Sequence, residues 1–148
     1  MFLENYYDYL FSLEQDVIPP KDVLERLLSA KKRLISGVYF TYLERDGRKG
    51  YFPLIWTKAE GTNYYIMKPS ELNRGIRKIA SAGLGCVLIH KTILKDIKFR
   101  YEKSHPGFDD IHFFLDCKTK KINVYADTGL LCKHLIKNRP WDWDSIKN

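Results

Sequence analysis

Residues 100–118 hold side chains suited to phosphodiester chemistry. His105 stands beside Arg100, Tyr101, Glu102 and Lys103. An imidazole titrates near neutral pH and can serve as general base or acid, while a nearby cation steadies charge building on a phosphorus-bound oxygen. Asp110, Asp116 and Lys118 form a second group, of the kind in which carboxylates hold a divalent metal and an amine positions the attacking water. Each group has a plain alternative: a loop histidine before Pro106-Gly107 sits comfortably in solvent, and two aspartates with a lysine make an ordinary charged turn. His90, His112 and His134 lack mutual metal-ligand spacing, and Cys132-Lys133-His134 stands alone. The sequence therefore predicts no bound metal and no cofactor.

A third, more distributed chemistry is attraction to phosphate. Arg45, Arg48 and Lys49 cluster at one turn, Arg74, Arg77 and Lys78 in one predicted helix, and Lys98 and Arg100 in one predicted strand. On a shared side they would form a groove for a nucleic-acid backbone, with Tyr or Phe available for base stacking. Pointing apart, they are solvated faces.

The elements that must position these groups follow from periodicity and turn residues. Residues 2–14 and 21–34 carry apolar side chains at helical spacing, separated by Pro19-Pro20, and predict an acidic αα pair. Residues 38–43 and 51–57 are β-branched and aromatic around Asp46-Gly47, a hairpin signal, with Pro53 marking an edge or bulge. Residues 63–67 predict a further strand. Leu72, Ile76, Ile79 and Ala80 then follow helical spacing behind Pro69-Ser70, which predicts a central helix over 69–82 stopped by Gly83 and followed by a buried strand, Cys86 to Ile89. Residues 97–102 alternate as a half-buried strand; 111–116 and 122–126 predict a second hairpin around Lys118 to Lys121. Asp127 or Thr128 caps a predicted last helix to about Lys137, and a tail with Trp141 and Trp143 resumes after Pro140.

Three short stretches resemble known families. Asp127-Thr128-Gly129 after the apolar residues 123–126 resembles the catalytic turn of retroviral-type aspartic proteases, which would imply two such carboxylates sharing a proton. A helix cap accounts for the same triplet, and 19 residues follow Gly129. Asp110 with Asp116-Cys117-Lys118 resembles half of the PD-(D/E)xK nuclease signature, which implies a metal held by the aspartates; the gap is shorter than that pattern and no upstream helical Glu accompanies it. Residues 70–85, SELNRGIRKIASAGLG, resemble a helix-and-turn segment of family X nucleotidyltransferases, without the Gly-Ser turn and Asp-x-Asp pair of that family.

Composition sets the frame. The 148 residues fit one domain, 45% apolar and 14% aromatic, enough for a proper core. Residues 1–30 carry net −4 and residues 31–148 net +11, together the +7 of the chain. A basic body attracts polyanions. Cys86, Cys117 and Cys132 are odd in number and unpaired in spacing, which predicts free thiols in a reducing, cytoplasmic setting. No secretory leader and no apolar run of spanning length is visible. The prediction is thus an α+β domain with a mostly antiparallel sheet of about five to seven strands, an N-terminal αα pair (1–35), a basic body (36–138) with central and C-terminal helices, and a tail (139–148). The favoured function is a non-enzymatic nucleic-acid-binding accessory protein of a virus or mobile element, with DNA or RNA as partner. The alternatives are a small nuclease using His105 or the Asp110, Asp116 and Lys118 group, or a protein-interaction module using the N-terminal helices or the Trp141/Trp143 tail.

Overall fold

The computed structural model describes residues 2–4, 6–45, 47–58, 64–101, 109–136 and 139–141; of Phe2, Arg45, Arg48, Ile136 and 139–141 it describes the backbone only. The fold is α+β, rich in strands and mostly antiparallel. Strands are numbered in chain order. The main sheet takes Tyr9–Leu13 (β1), Leu34–Val38 (β3), Ile76–Ile79 (β8), Cys86–His90 (β10) and Val124–Leu131 (β11), in the order β1-β10-β3-β11-β8. β3 and β11 run parallel, and the other pairs in this sheet are antiparallel. Val17–Ile18 (β2), Lys133–Ile136 (β12) and Arg139–Trp141 (β13) form a second sheet, and Phe40–Arg45 (β4) pairs with Arg48–Pro53 (β5) as a hairpin. Ile55–Lys58 (β6) lies between Tyr64–Ile66 (β7) and Ser81–Ala82 (β9). Three α-helices complete the described elements: Val23–Ser29 (α1), Lys91–Leu94 (α2) and Asp109–Thr119 (α3).

The central strand β3 is buried on both faces: all five residues of Leu34–Val38 are buried, the polar Ser36 among them. One face packs Ile35, Cys86, Leu88 and Leu130 against Val23 and Leu27 of α1. The other packs Leu34, Val87, Ile89, Val124 and Ala126 against Phe113, Phe114 and Cys117 of α3. Burial pushes the Cys117 thiol up to about 12, as expected of an inert core cysteine.

Five predicted elements are replaced. The N-terminal helix over 2–14 is a short 3₁₀ turn followed by β1, because Tyr9 to Leu13 pair with His90 to Cys86 at the edge of the sheet. The second helix is shorter than expected: Lys31 takes a left-handed φ of 51°, and Leu34 already begins β3. No αα pair therefore exists among the described residues.

The central helix is β8 and β9 instead. Asn73 (φ 56°) and Gly75 (φ 72°) adopt left-handed backbone that no helix interior can hold. Thr128 clasps this turn, its hydroxyl donating to the Gly75 carbonyl at 2.7 Å and accepting from Arg74 N–H at 2.9 Å. Ile76, assigned to the core-facing stripe, is 44% exposed.

Residues 111–116 belong to α3 and not to a hairpin, with Asp109 and Asp110 in the first turn and Lys118 in the last, matching the helix dipole. The C-terminal helix is β11 and β12. Every second residue, Val124, Ala126, Thr128, Leu130, Cys132 and His134, is buried, Val124 and Ala126 in the cluster with α3 and Leu130 and Cys132 in the one with α1, whereas Leu131 and Leu135 are only half-buried. Residues 97–101 form no ladder: Ile97 is buried, but Phe99 is 42% and Tyr101 68% exposed.

Candidate functional site

α3, the β6–β7–β9 sheet and the β8 edge of the main sheet surround a cleft of about 1060 Å³. Buried Phe114, Ile79, Ala82 and Val124 form part of its lining, with Trp56, Ile111 and Leu115 beside them. The charged residues of the lining are Lys58, Lys78, Lys118, Lys121 and Asp110. Four exposed cations against one carboxylate make a positive concavity whose attraction for anions weakens with salt.

Each lysine arrives on a different piece of backbone. Lys58 ends β6, registered opposite Tyr64 at the start of β7. Lys118 occupies the last turn of α3, where a cation favours the exposed carbonyls, and its ammonium lies 4.9 Å from the centre of the Tyr64 ring. Lys121 follows in a left-handed turn, φ 56°, and Lys78 lies on the edge strand β8. Burial raises the Asp110 carboxyl above the usual aspartate range, more than its hydrogen bond from Ile111 N–H lowers it.

The residues expected to act on phosphodiesters are dispersed. His105, Glu102 and Lys103 lie outside the described residues, as does Trp143. Asp110, Asp116 and Lys118 share α3, and Asp110 and Lys118 line the cleft. Asp116 turns to Arg100, whose Nε and Nη2 donate to it at 2.9 and 3.0 Å. Among the described residues no three carboxylate, histidine or cysteine side chains gather as a metal site. Asp127 of the Asp-Thr-Gly triplet accepts from Arg26 Nη2 at 2.8 Å, and its other oxygen accepts from Gly129 N–H at 3.0 Å. The triplet lies within strand β11 and fastens α1 to the sheet, so it caps no helix.

Among the residues expected to meet phosphate, Lys78 lines the cleft. Arg77 alternates to the opposite face of β8, and Arg74 is exposed in the turn clasped by Thr128. Lys49 lies 3.6 Å from Glu44, both well exposed, and Lys98 is exposed in the irregular segment before Tyr101. Arg45 and Arg48 pair through their backbones at the hairpin end.

The Arg100–Asp116 pair makes a pH-dependent prediction. Hydrogen bonding from the guanidinium holds the Asp116 carboxyl below its usual range. A depressed carboxylate contributes stability above its unfolded value and loses it as pH falls through its folded value. Asp116→Asn should therefore lower the melting temperature slightly at pH 7, and the gap to wild type should close below about pH 4. Thermal melts from pH 7 to pH 2 check this; a constant gap contradicts it.

Lys58, Lys121, Trp56 and Tyr64 join the site without having been expected there from the sequence. The basic run Lys118, Lys120, Lys121 was the available signal, since it closes a helix that begins with Asp109-Asp110. No protein family matches the sequence, and no curated protein does. Among solved structures the chain is similar to the viral protein A197 from STIV: 25% identity, TM-score 0.59, covering 97% of this chain and 67% of that one. The chain thus has an α+β fold that it shares, over nearly its whole described length, with a viral protein.

Proposed function

We infer that the chain binds nucleic acid in this cleft, through the phosphate backbone, and serves as an accessory protein of a virus or mobile element. The observation that carries the reading is the lining itself: Lys58, Lys78, Lys118 and Lys121 against Asp110 alone, with Trp56 and Tyr64 between them. Lysine ammoniums neutralise phosphates and release counterions, and aromatic rings accept base faces without regard to sequence. The chain-wide charge of +7 adds long-range attraction. Fold likeness to a viral protein supports the accessory role. No helix among the described residues is long and apolar enough to cross a membrane.

Titrating oligonucleotides of random sequence at increasing salt tests the reading. Four neutralised phosphates predict a slope of log K against log salt of about −3 on single strands. A flat dependence, or no binding at 50 mM salt, overturns it.

A further inference from the structure

Granting that the cleft binds nucleic acid, we propose that it takes single strands with unstacked bases and discriminates against duplex. A duplex offers a protein its phosphates and its groove edges, and duplex readers insert a protruding helix or ribbon into a groove about 12 Å wide. This site has the opposite shape, a concavity between three elements. Its deep wall is apolar: Phe114, Ile79 and Val124 are buried side chains that line it. Leu115, on the same helix as Lys118, stays 51% exposed beside them. Phosphates alone cannot cover that surface, because a charged oxygen brought against apolar side chains loses its hydration without a partner. An extruded base can, through its flat face.

Charge and ring also meet at one point. The Lys118 ammonium lies over the Tyr64 ring, and Lys58 is registered opposite Tyr64 across the strand pair. A nucleotide placed there has its base against an aromatic face and its phosphate within reach of two cations. That spacing suits one strand; in a duplex the bases are already stacked and turned inward.

The test compares a labelled 12-mer of deoxythymidine or uridine with a hairpin duplex of equal charge, by fluorescence anisotropy at 50 mM salt. The single strand should bind at least tenfold more tightly. Tyr64→Ala should weaken single-strand binding roughly 5- to 150-fold, the range for losing one stacking contact, and leave the salt slope unchanged. Lys118→Gln should reduce the slope by about 0.7. A melting temperature of Tyr64→Ala within a few degrees of wild type separates lost stacking from lost folding. Equal affinity for the two forms, or Tyr64→Ala with undiminished single-strand binding, overturns the single-strand proposal while leaving nucleic-acid binding in place. Binding of neither form overturns both.

Discussion

Reversing two charges in the cleft, Lys58→Glu with Lys118→Glu, should lower affinity for an oligonucleotide by two to three orders of magnitude at about 0.1 M salt. Both side chains are exposed, so the fold should survive, with a melting temperature lowered by a few degrees because Lys118 leaves the last turn of α3 and the Tyr64 ring. The lining would change from four cations and one carboxylate to two cations and three carboxylates, making the concavity repulsive to phosphate. The same reversal at Lys49, beside Glu44 on the hairpin, and at Lys98 serves as the comparison. These lysines lie outside the cleft lining, so reversing them should reduce affinity only through overall charge, by about tenfold or less. If the two double variants lose affinity equally, attraction is diffuse and the cleft is not the site.

The second large effect concerns the centre of the main sheet. A Cβ at Gly37 would lie 2.6 Å from Leu130 Cδ2 and 2.9 Å from Cys86 Sγ, with Cys132 Sγ at 3.4 Å. All three atoms end short side chains that are fully buried, so the core around them leaves little room to turn aside. Gly37→Ala must push β3 away from β10 or β11, at a cost of about 1–3 kcal/mol or more. For a chain of this size that corresponds to a melting temperature lowered by about 2–12 °C. Gly50→Ala is the matched control, since its new carbon meets Phe52 at an ordinary 3.7 Å. Gly37→Ala as stable as wild type would mean the two sulfurs and Leu130 can shift apart at little cost.

What was legible in the sequence were the elements whose residues all agree. The hairpin around Asp46-Gly47, the buried run Cys86 to Ile89 of β10 and the α+β class follow from β-branched and aromatic runs set off by turn residues. The errors share a cause. β11 and β12 alternate strictly, but Thr128 and His134 occupy buried positions, and two polar residues hide a period of two. Their burial makes sense only in three dimensions, where the Thr128 hydroxyl meets the Gly75 carbonyl and His134 Nδ1 donates to the Phe40 carbonyl. In residues 69–82 the apparent stripe was coincidence: Leu72 and Ile79 are buried on separate elements, and Ile76 faces out. Pairing with β11 overrode local helical spacing. The cleft was hardly legible, because Lys58, Lys78 and Lys118 come from two strands and a helix far apart in sequence. Charge counting found Lys78, and the nuclease resemblance found Lys118. Only the fold sets them around Trp56 and Tyr64.

The position of β3 at the middle of the main sheet has a consequence for how the chain is made. Its neighbours are β10 and β11, and β11 begins only at Val124 of 148 residues. A chain emerging from the ribosome must therefore carry the strand Leu34–Val38 with one or both edges open until Val124 and the residues after it have been made. β1 likewise waits for Cys86–His90. Such long-range pairing folds slowly and leaves strand edges exposed to other chains. Refolding should accordingly be slow, with yield falling as protein concentration rises, and chains cut before Val124 should aggregate.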